Sequence, residues 1–440
     1  MSHAIAQKFH TWSLLKFAAP SMLMMVFMSL YTIVDGMFVS RFVSSDALSS
    51  VNIVYPAIGL LLAVGIMLAT GGSALVSRLL GEGKKEKARE AFTLLACISL
   101  LFSILFAVSM ILWAKPISLL LGSDEALLKN CKIYLIGLAV FSPACTLQSF
   151  YQSFFVTAGK PGLGLGLTIT AGIVNMILDY IFIVPLQLGV LGAALATGIG
   201  QSIPAIIGTI FFFSHKRILY YQRFHFYGKE VLSACANGSS EMVTQLSTSF
   251  VTVLFNLILM KLEGADGVAA ITIILYGQFM LSSLFLGFSI GVAPIFGYRL
   301  GSKDYADLKR LFSISLKFVL FSSVLITALA FFGTPWIVTA FLPRDNSAWS
   351  LANVGFHLFS LGYLFCGTSV FASGFFTAIS DGKRSALISF LRTFIFIVGS
   401  LLILPKIIGI TGVWLAIPLA EFLTVFISLY LLRKTIANLA

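Results

Sequence analysis

Hydrophobic residues in this chain come in long runs, and polar residues gather in the short stretches between them. Neither the alternation of a half-buried strand nor a one-sided helical stripe dominates. Runs of about 20 apolar residues match a bilayer crossed by a helix. Twelve such runs are predicted, at 14–40, 51–77, 91–114, 126–157, 162–184 and 190–213, then at 231–260, 268–297, 311–333, 348–378, 385–404 and 409–432. Several exceed the crossing length, which implies tilt or kinks. Pro20, Pro56, Pro143, Pro204, Pro294 and Pro418 interrupt runs, and each removes a backbone hydrogen bond and permits a bend. The expected fold class is an all-α polytopic membrane protein with twelve transmembrane helices.

The fifth run, GLGLTITAGIVNMILDYIFIVP, carries Asn175 and Asp179. Four residues apart, they share one helix face. A carboxylate in hydrocarbon costs roughly 2.5–3.5 kcal/mol on insertion scales, so it faces a partner or a wet cavity. Asp35 in the first run is a second such acid, and Thr197 enters the sixth run from the same end. At about 1.5 Å per residue, the three side chains fall at similar depth in the outer half. Two carboxylates with amide and hydroxyl oxygens nearby suit a Na⁺, which prefers hard oxygen ligands. They equally suit a shared proton, which relieves the repulsion of like charges. The plainer alternative is that Asn175 and Asp179 only hold helices together. Glu241, near the start of the seventh run, is either a substrate or proton site or a first-turn acid favoured by the helix N-terminus. Glu421 in the last run suits packing or hydrogen bonding as well as coupling. Tyr134, Gln148, Tyr151 and Gln152 in the fourth run are candidates to line a cavity. Pro20 is the proline most suited to act as a hinge, because it shares the first run with Asp35.

An offset of about 220 residues aligns the two halves. Asp46 meets Asp266, Gly71 meets Gly291 and Gly81 meets Gly301. Thr157-Ala158 meets Thr377-Ala378, and Pro185 meets Pro405. Gly189, Gly192 and Ala196 meet Gly409, Gly412 and Ala416. Six helices per half implies a pseudo-two-fold along the membrane normal. The expected lobes are residues 1–220 and 221–440, joined through the polar stretch from Ser214 to Lys229. At this offset Asp35, Asn175, Asp179 and Thr197 face Phe255, Ile395, Gly399 and Ile417. Ion chemistry at those positions would therefore belong to the first half alone.

Composition agrees with the pattern: 58% of the 440 residues are hydrophobic, 10% are charged, and mean hydropathy is +0.99. Soluble domains carry about 25% charged residues. The net charge of +12 invites a nucleic-acid reading, but its distribution gives a topological one. With the N-terminus inside, 22 of the 29 Lys and Arg fall on the cytoplasmic side, Arg392 counted among them. Both termini are expected in the cytoplasm. The five cysteines show no metal spacing and read as small apolar residues. The first run is too long for a cleavable signal. Twelve Met and 41 Phe offer soft and aromatic surface for flat organic cations.

Four stretches carry a resemblance: LYTIVDGMFVSRFVSSDAL at 30–48, SRLLGEGKKEKA at 77–88, FFVTAGKP at 154–161 and NMILDYIFI at 175–183. Together they resemble the multidrug and toxic compound extrusion (MATE) family, particularly its DinF-like and MepA-like prokaryotic members. The resemblance spans nearly the whole chain. It implies two six-helix lobes about a central cleft and antiport of organic cations against Na⁺ or H⁺. It implies a first-lobe cation site at Asp35, Asn175, Asp179 and Thr197, with Tyr134 in its polar network and Pro20 as the bending point. NorM-like members also use second-lobe acids; here Glu241 is available, but residues 348–378 contain no carboxylate.

The expected protein is thus no enzyme and needs no cofactor beyond its coupling ion. It exports lipophilic organic cations across the cytoplasmic membrane as a monomer, with Tyr134, Gln148, Gln152 and Glu241 as weaker cavity candidates. Two other readings remain. A lipid-linked saccharide flippase of related fold would call for a more cationic cavity. An intramembrane aspartyl enzyme would call for a YD…GxGD-like context, which Val34-Asp35 and Leu178-Asp179 do not provide.

Overall fold

The computed structural model describes residues 4–43 and 45–438, and they fold into helices joined by short turns. In chain order these are α1 (Thr11–Phe42), α2 (Ser45–Gly81), α3 (Lys85–Leu112), α4 (Ala114–Leu120), α5 (Glu125–Val140), α6 (Ser142–Thr157), α7 (Pro161–Ile183) and α8 (Val190–Phe213). The second half holds α9 (Gly228–Gly301), α10 (Tyr305–Phe341), α11 (Ser347–Ser360), α12 (Tyr363–Ala378), α13 (Gly382–Phe390), a π-helical turn over Leu391–Ile397, α14 (Val398–Ile408) and α15 (Ile410–Asn438). Arg41 and Asp46, used above in the charge count and the repeat, are described in their backbone alone.

Twelve crossings result. Among the described residues, nine helical stretches are long and apolar enough to span a membrane, and two bent pairs, α5–α6 (55°) and α11–α12 (54°), each make another. The 74-residue α9 breaks at Gly264 (φ 63°, ψ −143°) and counts as two. The chain is an integral membrane protein. The first bend fits Pro143, which sits at the start of α6. The second has no proline; it falls at Leu361-Gly362. Asp124, Asn346 and Asp381 cap α5, α11 and α13 by accepting backbone N–H bonds, which satisfies donors a helix start leaves free.

The repeat is visible in the backbone. Left-handed residues recur at matched positions, Gly83 with Lys303 and Gly189 with Gly409, and Ser380 falls one residue past the match of Gly159. The halves also meet symmetrically at the end carrying the basic loops. A Cβ on Gly81 would strike the backbone of Tyr298 and Ser302, and one on Gly301 would strike that of Arg78 and Glu82. Residues 78 and 298, and 82 and 302, are themselves repeat partners. Each glycine lets its helix end approach the other half to backbone contact.

The N-terminal segment closes this end further. Ile5, Phe9, Leu14 and Ala18 pack into a core cluster with Phe288, Val292, Phe296 and Leu308 of the second half. Arg299 donates to the carbonyls of Ala6 and Gln7 and pairs with Asp307 at 2.7 Å, both nearly buried. Breaking such a pair costs about 3–5 kcal/mol when a charge is left alone; Arg310 also holds Asp307. Arg299→Gln is expected to lower unfolding stability by about 3 kcal/mol, read by denaturation of the detergent-purified protein. A change under about 0.5 kcal/mol, the scale of an ordinary surface substitution, would mean that the clamp carries no load.

Two residues take places the sequence did not suggest. Tyr151 does not line a cavity. It is fully buried in an aromatic cluster with Phe150, Phe155 and Phe212, its hydroxyl bonded to Thr209 and Tyr221. Arg392, counted above as a cytoplasmic-side charge, lies inside the helical bundle in an ion pair with Glu421.

Candidate functional site

α1, α7 and α8 pack together in the first half, and their polar residues meet away from the basic end. Gly200 permits this: a Cβ there would press on the Ala171 carbonyl at 2.9 Å and on Asn175 Cβ at 3.1 Å. Without one, α8 lies against α7, and Thr197 comes beside Asn175, whose Nδ2 is 3.5 Å from the Thr197 hydroxyl. Asp179, one turn along α7, is fully buried. Asp35 of α1 faces it, and the two carboxyl groups lie within hydrogen-bonding reach of each other. The four residues singled out from sequence are thus brought into one neighbourhood.

What these atoms lack defines the chemistry. Both Asp179 oxygens, Asp35 Oδ1, Asn175 Oδ1 and Gln148 Oε1 are buried and accept no hydrogen bond from a described residue. Buried polar atoms are seldom left so. Two ionised carboxylates in contact have no donor between them; one proton supplies it. The alternative is a hard cation, to which such oxygens are the natural ligands. No group of three or more His, Cys, Asp or Glu occurs among the described residues, so Asn and Thr oxygens would have to complete any ion shell.

Around the pair stand aromatic hydroxyls. Tyr134 is buried and lies within electrostatic reach of Asp35 and Asp179. Tyr31 lies beside Asp35 and Gln148. Tyr276 of α9 reaches the same place from the second half: its hydroxyl is 3.5 Å from where a Gly36 Cβ would be, and it senses Asp35. Sequence reading passed over Tyr31 and Tyr276. Tyr31 sits four residues before Asp35, the one-face spacing of a helix; Tyr276 carries no such local mark. Gln152 bonds Thr168 at 3.2 Å, one step further along this polar strip, and Cys145 donates to Gln201. α1 runs through Pro20 without a break.

Glu241 is not part of this group. It lies on α9 within electrostatic reach of Arg392, with no contact to the Asp35–Asp179 pair. Arg392 was missed because Lys383 and Arg384 precede it by only two to three turns, which drew it into the loop charge.

Comparison with known proteins identifies the family and the fold. The MatE family model matches the chain twice, over residues 20–181 and 241–402. The chain belongs to the MatE family. The two MatE matches begin and end 221 residues apart, close to the offset of about 220 read from the repeat. A multidrug export protein, MepA, of Staphylococcus haemolyticus is 22% identical over 433 residues, covering 95% of this chain and 92% of the relative. The protein of that name from Staphylococcus aureus is 24% identical over 446 residues, covering 96% and 94%. Among solved structures, a MATE protein in its straight conformation superposes with a TM-score of 0.93 at 18% identity, covering 100% of this chain and 99% of that one. The Vibrio cholerae MATE transporter VcmN gives 0.90 at 21%, covering 98% of each. The fold is the two-lobed, twelve-helix MATE architecture.

Proposed function

We propose that this MatE protein is a cation-coupled antiporter that exports lipophilic organic cations across the cytoplasmic membrane by alternating access. Lobes 1–220 and 221–440 rock about the cleft, with both termini in the cytoplasm and a monomer as the working unit. The observation that carries the reading is the buried Asp35–Asp179 contact, two acids meeting where neither Asp179 oxygen accepts a hydrogen bond from a described residue. The relatives named as multidrug export proteins support the substrate class. The basic-end closure then corresponds to a state shut toward the cytoplasm.

In the cycle, the outward-open protein takes a proton onto the carboxyl pair. Asn175 and Thr197, bonded to each other, stand beside Asp179, while Tyr31, Tyr134 and Gln148 hold the wall around it. Loading favours a rearrangement of α1, with Pro20 as its bending point, and weakens the hold on the drug. Rocking inward releases the proton and admits a new drug. Coupling requires that ion and drug favour different states or exclude one another. A second reading, Na⁺ in place of H⁺, draws support from the unpartnered Asn175 oxygen, a ligand a bare proton does not need.

Proteoliposomes loaded with a cationic rhodamine ester separate the two. Efflux driven by an inward H⁺ gradient and indifferent to Na⁺ is expected. Efflux driven by Na⁺ alone would transfer the site to the second reading, and efflux indifferent to both gradients would end the coupled-antiport account.

A further inference from the structure

A second charged site lies in the other half, at mid-depth. Glu241, Arg392 and Glu421 sit 13, 10 and 11 residues from the starts of α9, α13 and α15, about 15–20 Å along their helices. Arg392 donates Nε to Glu421 Oε1 at 2.7 Å and Nη2 to Cys366 Sγ at 3.4 Å, with Nη2 also 2.5 Å from Glu421 Oε1. The guanidinium thus spends one edge on a single oxygen. Its Nη1 bonds no described residue and keeps accessible surface. Glu241 is similar: its carboxylate accepts no hydrogen bond from a described residue and stays accessible, and Arg392 is the charged group it senses. A free acid and a free guanidinium edge therefore lie within electrostatic reach of each other, with no ion pair between them among the described residues. The Tyr363 hydroxyl, near Cys366, and Glu421 Oε2 are buried there without a partner.

Arg392 also lies in the π-helical turn Leu391–Ile397, a backbone form concentrated at functional sites. Its repeat partner is Gly172, and those of Glu241 and Glu421 are Ser21 and Gln201. The arrangement is private to the second half, as the acid pair is to the first.

We propose that Glu241 and Arg392 form a two-polarity binding site for zwitterionic organic solutes. The cationic part sits on Glu241, and an acidic group of the same molecule sits on the open edge of Arg392, which Glu421 holds in place. A plain cation uses Glu241 alone and meets the repulsion of Arg392. A dipolar solute satisfies both charges, so the site prefers it. Arg392 is then the specificity-determining residue. The inference rests on the reading of the chain as an exporter but concerns binding, which needs no gradient and no Asp35 chemistry.

The test is fluorescence-polarisation binding to detergent-purified protein with two probes, rhodamine B, a zwitterion at neutral pH, and its ethyl ester, a plain cation. Wild type is expected to bind the zwitterion about tenfold more tightly, the scale of a charge-assisted guanidinium–carboxylate contact. Arg392→Lys keeps the charge for Glu421 but loses the planar fork, and should cut that preference while leaving ester binding within about threefold. Arg392→Gln alone strands Glu421, so Arg392→Gln with Glu421→Gln removes the pair together; this double variant should bind the ester at least as well as wild type and show no preference. Glu241→Gln should weaken both dyes. Equal binding of the two dyes by wild type, binding of neither, or a preference that survives in the double variant would overturn the proposal, whatever the efflux assays give.

Discussion

Asp35→Asn is expected to reduce gradient-driven efflux to the level of protein-free vesicles while leaving membrane insertion and folding intact. The argument is stereochemical. In the native pair a proton must arrive before one carboxyl can donate to the other. An asparagine brings a permanent N–H donor of nearly the same shape, so its Nδ2 can satisfy an Asp179 oxygen that otherwise has no partner. The variant resembles the loaded state and cannot unload. Since an ion shifts a conformational equilibrium only through its different affinity for the two states, fixing one state removes the drive. Drug binding to the purified variant should be weaker than in wild type, because loading loosens the hold on the drug. The same assay on Asp179→Asn should give the same loss, and Glu241→Gln a milder one that depends on the dye. Retained gradient-driven efflux in Asp35→Asn would remove that residue from the coupling site.

Gly301→Val is the second large effect. Its Cβ would enter the backbone of Arg78 and Glu82, which cannot yield as a flexible side chain would. Overpacking of this kind costs roughly 1–3 kcal/mol, and here the cost falls only on the state closed at the basic end. An equilibrium shift of about ten- to a hundredfold toward the form open at that end is therefore expected. Cys235, partly exposed near this contact, reports it. In a background lacking the other four cysteines, its rate of maleimide labelling should rise by about tenfold or more, and efflux should fall. Gly81→Val should do the same, because the contact is two-fold. Unchanged labelling in both would mean that the closed end tolerates the extra carbons and is not a gate.

Much of this was legible because membrane helices announce themselves by length and apolarity. All twelve runs correspond to crossings, and the break at Gly264 falls where a polar KLEGAD stretch separates two of them. The acid pair was legible for the same reason: Asp35 and Asp179 are costly where they stand, and the repeat offers no counterpart for either. Arg392 was illegible because charge near a helix end has two meanings, loop or interior, and only the turn of the helix decides between them. The bend at Leu361-Gly362 arises from packing without a proline to mark it. Tyr276 joins the first-half site from 241 residues beyond Asp35, a distance over which no local spacing speaks. Nor does the sequence say that Ile5 and Phe9 cross to the second half, since two apolar residues in a polar leader carry no address.

The account depends most on Asp35 and Asp179 holding one exchangeable proton between them. Infrared difference spectroscopy of the protonated-carboxyl stretch measures this directly. On acidification one carboxylic C=O band is expected, lost in Asp35→Asn and in Asp179→Asn alike, and bleached when a transported cation is added. A band untouched by either substitution, or no band across the range in which efflux is active, would contradict it.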